Sequence, residues 1–345
     1  MSDMKTVSLF SGAGGLDVGA RLAGLDVVWA NDSNKDACDT YSRNLGSHVR
    51  LGLLKQHWEE LGELSDVEAV IGGPPCQGFS VTGKMEPTDP RSQLVFLFLD
   101  VVEMLTPRFF VMENVKGLAA LSKFSKVRER LIQRSTNMGY GVTLVVLNSK
   151  YYGCPTARQR MFLVGFREKC HRVFESLAGE GRQREIPSLE VFNVLGPEGT
   201  DSNPKTCNAG ITLLRNPILR KSPYAGMLLN GRGRPINPKK PCPALPAAMG
   251  GNATPVVDEN QIWGDGSSWI EEYHRHLLAG GGTYEDRSTP NFLRRLTLRE
   301  AAALQTFPEG FEFSGSPSSI YKQIGNSVPC RLAQHVFECC MEVFK

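Results

Sequence analysis

The stretch MKTVSLFSGAGGLDVG, residues 4–19, joins a short apolar strand pattern to a helical pattern through a glycine-rich turn. Gly12, Gly14 and Gly15 would let the backbone approach a ligand closely, and the positive N-terminal end of the following helix favours electron-rich groups. The spacing differs from G-x-G-x-x-G, which argues against a standard pyrophosphate-binding turn. A sharp strand-to-helix turn without a ligand would use the same residues, so this stretch alone leaves both interpretations open.

Strand and helix patterns alternate through the first half of the chain. The strand patterns are MKTVSLF, LDVVWAN, VEAVIGG, RFFVMEN, GVTLVVLN and MFLVGF. Helical patterns lie between them at residues 35–44, in SQLVFLFLDVVEML before Pro107, and in KVRERLIQRSTNMG up to Gly139. This alternation predicts an α/β fold in which helices cover both faces of a parallel sheet.

The alternation stops near Arg172. From there to about Asn291 the chain is rich in Gly, Pro, Asn and Ser and has weak periodicity. Such a composition predicts a second, smaller, loop-rich domain.

The C-terminal segment returns to clear helical patterns. LTLREAAALQTF predicts a helix with Thr297 as its N-cap. The last segment carries an apolar stripe, which predicts a helix that packs back on the first domain; the stripe consists of Leu332, Val336, Cys339, Cys340 and Val343. We therefore expect one domain from residues 1–172 plus 318–345 and a second from residues 173–317.

The composition is that of an ordinary globular protein, with 345 residues, 41% hydrophobic and 22% charged, and a net charge of +3. This small positive charge permits a nucleic-acid partner without requiring one. No apolar run approaches the ~18 residues of a membrane helix, and the N-terminus lacks a signal-peptide pattern. We therefore expect a cytoplasmic protein without membrane association. The nine cysteines include no C-x-x-C pair. We therefore expect no disulfide framework and no metal site.

The segment IGGPPCQGFS, residues 71–80, sets one cysteine at the end of the third strand pattern. Pro74 and Pro75 stiffen the approach to Cys76, and Gly78 permits an unusual turn after it. The carboxyl edge of an open α/β sheet is where ligands bind. A free cysteine is often only a small buried hydrophobe, but the polar neighbours favour a positioned nucleophile.

Polar residues also stand at the ends of other strand patterns. Asp32 ends the second strand, where an acid can accept hydrogen bonds from ribose hydroxyls or cap a helix. VMENV places Glu113 and Asn114 at the end of the fourth strand, where an acid held partly protonated by burial could act as a general acid. The other interpretation of Glu113 is an acid at the start of a helix.

A pair of arginines precedes the sixth strand in CPTARQRMFLVGF. Arg158 and Arg160 are two positions apart, so in an extended chain both point to one side. Two cations there suit an anionic or carbonyl-bearing ligand, although a solvated basic loop has the same sequence. YKQIGNSVP reads as a polar loop ahead of the last helix.

Taken in order, the segments FSGAGG, GPPCQGFS, ENVKGL, ARQR, LTLREAAALQTFP and YKQIGNSVP resemble the DNA cytosine-5 methyltransferases of bacterial restriction-modification systems. The resemblance covers nearly the whole chain except the stretch from about Arg172 to Asn291. It implies a Rossmann-like, S-adenosylmethionine-dependent methyltransferase sheet with a smaller target-recognition domain.

The resemblance also implies a mechanism and assigns roles. Cys76 matches the nucleophile that adds to carbon 6 of cytosine and activates carbon 5 for methylation. Glu113 matches the acid that contacts ring nitrogen 3, with Asn114 as its supporting neighbour. Arg160 matches the contact to the cytosine carbonyl oxygen, and Arg158 belongs to the same motif. A base inside a duplex cannot be reached in this way, so the resemblance implies a flipped cytosine.

The same resemblance implies a site for S-adenosylmethionine. Asp32 matches the acid that binds the ribose. The other positions that match cofactor contacts are Phe10, Ser11, Gly12, Gly15, Leu16, Pro75, Leu94, Asn326 and Val328.

Four positions depart from the pattern of that family. Ser33 stands where a bulky residue is frequent, and Leu53 where an acid often contacts the adenine amine. Thr156 replaces the glutamine that usually opens the arginine motif, and Ala244 replaces a threonine that contacts DNA. None of the four changes Cys76 or Glu113.

The loop-rich middle of the chain resembles the family's target-recognition region, which reads bases from the major groove. Each candidate in it could instead be a phosphate contact or a solvated residue; the candidates are Asn230, Arg232, Arg234, Lys239, Lys240 and Asn252. We expect double-stranded DNA as the partner, a monomeric enzyme, and a cognate restriction endonuclease as a functional rather than physical partner.

Three other functions compete with this one. A transfer-RNA methyltransferase of the same family usually carries a Cys-Phe-Thr signature, which is absent here. A catalytically silent DNA-binding homologue would not require Cys76, Glu113 and Arg160 to be intact. A nucleotide-dependent redox enzyme is disfavoured by the glycine spacing.

Overall fold

Helices and strands alternate along the N-terminal half of the computed structural model, which describes residues 4–75 and 93–345. The strands are β1 Met4–Leu9, β2 Leu25–Asp32, β3 Val49–Leu51, β4 Ala69–Gly72, β5 Phe109–Val115, β6 Gly141–Asn148, β7 Thr156–Ala157, β8 Gln159–Phe166, β9 Leu213–Ile218, β10 Met227–Leu229, β11 Cys242–Pro243, β12 Val256–Asp258 and β13 Leu293–Arg295. The α-helices are α1 Gly15–Leu22, α2 Lys35–Asn44, α3 Trp58–Gly62, α4 Leu94–Leu105, α5 Lys116–Ala120, α6 Ser125–Asn137, α7 His171–Gly179, α8 Ser188–Leu195, α9 Glu259–Trp263, α10 Trp269–Leu278, α11 Leu298–Leu304, α12 Pro317–Asn326 and α13 Cys330–Glu342.

A seven-stranded sheet in the order β3-β2-β1-β4-β5-β8-β6 forms the centre of the fold, so the predicted α/β class is confirmed. The strands from β3 to β5 pair in parallel, whereas β8 runs antiparallel to both β5 and β6. The sheet is therefore mainly parallel, as expected, and antiparallel where β8 is inserted between β5 and β6. Parallel neighbours need a crossover of a dozen or more residues, and only the short segment 149–158 joins β6 to β8.

Side chains alternate between two cores along the buried strands. In β5, Phe109 and Val111 pack on one face of the sheet, and Phe110 and Met112 pack on the other. The first core receives α1, α7 and α13, and the second receives α4 and α6. This arrangement explains the continuous apolar runs that predicted these strands, because a strand covered on both faces has no polar side.

Several elements were not expected from the sequence, among them β3, α10 and α12. Strand β3 has only three residues and no apolar run. Helix α10 lies in the region predicted to be loops, although its buried Ile270, Tyr273, His274 and Leu277 follow a helical period. YKQIGNSVP is not a loop, since most of it lies in α12, which starts with Pro317 after the N-cap Ser316.

The region between α7 and α12 consists of short pieces with their own apolar clusters. Strands β9 and β10 form one antiparallel pair, and β12 and β13 form another. Strand β11 pairs with β7, which connects this region to the entrance of β8. Helix α11 begins with the predicted Thr297 cap, whose hydroxyl accepts from the Glu300 backbone N–H.

The final helix packs on the first core, as its stripe predicted. Leu332, Val336, Cys339 and Cys340 are buried there, and Val343 is partly buried against them. Among the described residues, no helix combines the length and the apolar character that crossing a membrane requires.

Two glycines of α1 allow the C-terminal segment to lie against this helix. A Cβ on Gly15 would come within 2.8 Å of the Val328 carbonyl oxygen, and one on Gly19 within 2.4 Å of the Ala333 Cβ. Residues four apart share a helical face, so both glycines open the same side of α1. Any larger side chain there would push α13 away from the sheet.

We expect Gly19→Ala to lower the free energy of unfolding by about 1–3 kcal/mol, because the added methyl group overpacks the contact between α1 and α13. Urea denaturation measures this change. Gly179→Ala is the matched control, since Gly179 also lies in a helix but has open space around it. Equal effects of both substitutions would contradict the packing argument.

Candidate active site

The turn after β1 has an unusual backbone. Phe10, Gly12 and Gly14 all have positive φ, at 55°, 56° and 88°. A non-glycine residue such as Phe10 is strained in this conformation by about 1–3 kcal/mol. The Ser11 backbone N–H donates to the Asn31 carbonyl at 2.9 Å, which holds the strained turn against the end of β2.

Asp32 stands at the end of β2 and faces this turn. Its carboxylate accepts the Gly12 N–H at 2.8 Å on Oδ2 and the Asn34 N–H at 2.8 Å on Oδ1. Burial raises the pKa of Asp32, while hydrogen bonds from the backbone N–H groups of Asn34, Gly12 and Ser33 oppose the rise. Each carboxylate oxygen keeps a lone pair for a further donor, as a bound ribose would require.

Glu113 and Arg160 form an ion pair at the end of β5. Arg160 Nε lies 2.7 Å from Glu113 Oε1, and both side chains are largely buried. Burial raises the pKa of Glu113, although the cations of Arg160 and Arg158 pull it down. The acid is therefore held where protonation is easier than in water, beside two fixed positive charges.

Arg158 connects separate parts of the chain. Its Nη1 donates to the Leu245 carbonyl at 2.8 Å, and its Nη2 donates to the Gly325 carbonyl at 2.5 Å. The side chain is 3% exposed, so these bonds form in a protected environment. Arg158 thus joins the acid of β5 to the last turn of α12 and to the loop after β11.

Asn114 fixes the chain that leads to the predicted nucleophile. Its amide nitrogen donates to the Pro74 carbonyl at 3.1 Å. Pro75 is the last residue described before the gap, and Cys76 lies outside the described residues.

These groups surround one cavity of about 350 Å³ at the carboxyl edge of the sheet. It brings together most of the predicted site residues, namely Phe10, Ser11, Gly12, Gly15, Leu16, Asp32, Pro75, Glu113, Asn114, Arg158, Arg160, Asn326 and Val328. Leu94 is not among the residues that line it. Leu94 is the first residue of α4 and packs against the second core.

One face of α12 lines the cavity with the predicted Asn326 and with three residues that the sequence did not single out. Ser319, Lys322, Gln323 and Asn326 follow a helical period, and all four border the cavity. Gln323 is buried, with its Oε1 accepting from the Thr40 hydroxyl at 2.7 Å. The helical spacing of these residues is visible in the sequence. Because the residues are polar, the spacing did not predict an amphipathic helix.

The departures from the family pattern have different surroundings. Ser33 borders the cavity, whereas Leu53 is 65% exposed and does not. Thr156 is buried and its hydroxyl donates to the Cys242 carbonyl at 3.2 Å. Ala244 is exposed in the loop after β11.

A buried acid lies beneath the glycine-rich turn. Asp17 in α1 accepts the Tyr41 hydroxyl at 3.0 Å, and the Tyr41 oxygen lies 3.1 Å from His48 Nε2. Burial raises the pKa of Asp17 to about 6, against the opposing hydrogen bond from Tyr41. Tyr41 also packs on Gly14, where a Cβ would come within 3.1 Å of its ring, so this acid supports the turn from below.

The family model for C-5 cytosine-specific DNA methylase matches residues 4–342. The chain therefore belongs to the C-5 cytosine-specific DNA methylase family, as its sequence motifs suggested.

Relatives of similar length support this assignment. Type II methyltransferase M.MthTI of Methanothermobacter thermautotrophicus is 31% identical over 97% of this chain and 96% of its own. Type II methyltransferase M.FnuDI of Fusobacterium nucleatum is 31% identical over 96% and 92%. The S. pombe Dnmt2 methyltransferase structure superposes with a TM-score of 0.66 at 19% identity, covering 100% of both chains, which shows a shared fold.

The raised pKa of Asp17 predicts a pH dependence of stability. The carboxyl group of Asp17 binds its proton more tightly in the folded protein than in the unfolded chain. Ionised Asp17 therefore destabilises the folded protein, and this destabilisation is absent below about pH 4 and grows as the pH rises through 6. The free energy of unfolding should lose on the order of 3 kcal/mol across this window, and Asp17→Asn should remove that loss.

Urea denaturation of both proteins between pH 4 and 7.5 measures the effect. The difference between wild type and Asp17→Asn should grow with pH in favour of the variant. Asp201→Asn, at an exposed acid, is the control. A difference that stays flat with pH would contradict the assignment.

Proposed function

We propose that this protein transfers a methyl group from S-adenosylmethionine to carbon 5 of a cytosine in double-stranded DNA, through a covalent bond to Cys76. The observation that carries the proposal is the common cavity, in which the Glu113–Arg160 pair faces the turn that holds Asp32. Methylation of a cytosine ring requires an acid and a hydrogen-bond donor to the ring carbonyl, which Glu113 and Arg160 would supply. Binding of a methyl donor that contains a nucleoside requires the glycine-rich turn and an acid for the ribose, which Asp32 would supply.

The residues around the turn fit S-adenosylmethionine. A Cβ on Gly12 would meet no protein atom within 4 Å, so the backbone there is open to a ligand. Asp32 would accept the ribose hydroxyls, with Asn326 and Val328 closing the site from the C-terminal segment. When bound, this group supplies an electrophilic methyl. A sulfonium compound carries no phosphate, which agrees with the absence of a pyrophosphate pattern.

The proposed chemistry uses the side chains of Cys76, Glu113 and Arg160. The Cys76 thiolate bonds to carbon 6, and the displaced electron pair makes carbon 5 nucleophilic. Glu113 donates a hydrogen bond or proton to ring nitrogen 3, and Arg160 donates to the carbonyl oxygen. After carbon 5 accepts the methyl group and loses its proton to a base, the carbon–sulfur bond breaks and the thiolate leaves.

Residues 173–317 are proposed to recognise DNA and to hold the cytosine outside the stack. Helix α7 packs on the sheet through Phe174 and Ala178, so the DNA-reading part begins after this helix. The exposed candidates are Arg232, Arg234, Lys239, Lys240 and Asn252. Asn230 leaves this set, because its amide accepts the Thr212 N–H at 3.1 Å and donates to the Gly210 carbonyl at 2.9 Å.

The relatives named above are type II methyltransferases, which supports a restriction-modification setting for this chain. We propose that the protein acts as a cytoplasmic monomer and protects the sites of a separate restriction endonuclease that shares its recognition sequence.

Cys76→Ser should abolish methyl transfer because a hydroxyl cannot replace the thiolate as nucleophile at neutral pH. Bisulfite sequencing of DNA from cells that express the wild type detects the activity and reveals the target. Tritiated methyl incorporation into DNA of that sequence then compares the variants, with Cys170→Ser as the control at a cysteine outside the cavity. Retained turnover in Cys76→Ser would refute the mechanism.

Covalent trapping tests the same residue independently. A target oligonucleotide with 5-fluorocytosine has no proton to lose at carbon 5, so the adduct persists. Peptide mapping should find it on Cys76. Incorporation of the tritiated methyl group into RNA and not into DNA would mean that this protein has a different substrate.

Glu113→Gln should slow methyl transfer by about 10²–10⁴-fold, because glutamine cannot deliver a proton to the ring. Single-turnover kinetics with saturating DNA and methyl donor measure the chemical step. Glu129→Gln, at an exposed glutamate of α6, should leave the rate unchanged. A near-normal rate in Glu113→Gln would remove Glu113 from the reaction.

A further inference from the structure

Two adjacent arginines of β13 have opposite surroundings. Arg294 lies 2.6 Å from carboxylate oxygens of both Glu259 and Glu300, so its charge is balanced. Arg295 is 1% exposed, and within residues 4–75 and 93–345 it forms no ion pair. A buried cation is costly unless many hydrogen bonds compensate it. Its partners therefore indicate why an arginine occupies this position.

Within the described part of the chain, every hydrogen bond that the Arg295 guanidinium donates goes to an oxygen of a loop. Nε donates to the Ala209 carbonyl at 3.5 Å, and Nη1 donates to the Thr254 and Asn252 carbonyls at 2.9 and 3.4 Å. Nη2 donates to the Asn230 carbonyl at 3.3 Å and to its side-chain oxygen at 2.9 Å, with a longer contact of 3.5 Å to Gly210. One guanidinium thus joins three separate loops.

In one of these loops glycine and arginine alternate, and the close approach of the 252–254 loop explains the glycines. In the segment NGRGRP, residues 230–235, a Cβ on Gly231 would come within 2.2 Å of the Asn252 carbonyl oxygen. A Cβ on Gly233 would come within 1.9 Å of the Thr254 carbonyl oxygen and 2.9 Å of Arg295 Nη1. The glycines therefore face inward against the 252–254 loop.

The two arginines that follow these glycines face outward. Arg232 and Arg234 are both exposed, as is Asn252 on the neighbouring loop. The Gly233 N–H donates to the Asn252 carbonyl at 3.0 Å, which fixes the two loops to each other. Two exposed guanidinium groups at a fixed spacing are suited to guanine edges or phosphates of a duplex.

We propose that Arg295 is a positioning residue for target recognition, which holds the loops around residues 210, 230–234 and 252–254 in the one arrangement that presents Arg232, Arg234 and Asn252 to DNA. This inference rests on the proposed function. Arg295 itself is buried and does not touch the duplex.

The guanidinium is required because of its geometry. It offers five N–H donors in a rigid planar fork that can reach three loops at once. Lysine keeps the charge, but its three donors radiate from a single nitrogen. Arg295→Lys is therefore the substitution that removes the tether with the least loss of charge and volume.

The test uses the full-length protein and two readouts. Hydrogen–deuterium exchange should accelerate by about tenfold or more in Arg295→Lys at residues 210–213, 230–234 and 252–254, and should stay unchanged in β1, β4 and β5. Methylation of the sequence found by bisulfite sequencing, compared with sites that differ by one base pair, should show discrimination reduced by about tenfold. Binding of S-adenosylmethionine should not change.

Gly233→Ala provides a second route to the same displacement. Its methyl group would clash with the Thr254 carbonyl, while Arg295 and its charge remain, so the same loss of discrimination is expected. Arg275→Lys, at an exposed arginine of α10, is the matched control.

The outcomes separate the inference from the proposed function. Unchanged hydrogen–deuterium exchange of the three loops in Arg295→Lys would refute the proposal that Arg295 holds them together. Faster exchange of these loops, with undiminished discrimination between the target and one-base-pair variants in both substitutions, would refute a role in recognition. Failure of the wild type to methylate DNA would refute the proposed function, and with it the role in recognition, while the exchange data would still decide whether the tether exists.

Discussion

The close contact between α1 and the C-terminal segment is the constraint on which the site depends. Gly15 and Gly19 present no side chain, so residues 328–334 lie directly against the helix that follows the glycine-rich turn. This contact brings α12, which precedes α13 in the chain, to the same edge of the sheet as β1 and β2. The cavity therefore has one wall from the first residues of the chain and another from residues 319–328.

Electrostatics at this edge are set by burial and by two fixed cations. Glu113 is buried next to Arg160 and near Arg158, so its pKa results from opposed effects rather than from solvent. Arg158 also bonds to Gly325 and Leu245, which belong to α12 and to the loop after β11. The segment proposed to hold the methyl donor and the region proposed to recognise DNA thus share one side chain, whose charge also acts on the acid proposed for catalysis. A shift of either segment would be felt by the other through hydrogen bonds in a low dielectric.

The loop-rich region contains buried polar contacts in addition to its apolar clusters and short elements. Arg295 connects loops by hydrogen bonds to their oxygen atoms, where no sheet pairing of the described residues connects them. Gly231 and Gly233 permit the close approach of the loops that these bonds need. Loops are where binding residues are usually carried, but they need a rigid support to hold a geometry. In this protein the Arg295 guanidinium gives such support to three loops.

The sequence by itself determined the α/β class, the sheet strands of the first half apart from the three-residue β3, the Thr297 cap and the stripe of α13. These features depend on local periodicity and composition, which adjacent residues fix. It also singled out Asp32, Glu113 and Arg160, which line one cavity. Asp32 and Glu113 lie where parallel strands end at one edge of the sheet, and Arg160 reaches that edge near the start of the antiparallel β8.

Only the tertiary structure decided the antiparallel insertion of β8, the position of Leu94 outside the cavity and the polar cavity face of α12. It likewise showed that Arg158 bonds to distant carbonyls and that Asn230 is used inside the protein, whereas Arg232 and Arg234 are exposed. These properties depend on contacts between residues far apart in the chain. Such contacts leave no periodic signal, because each partner forms them with a segment whose position is fixed only when the core is packed.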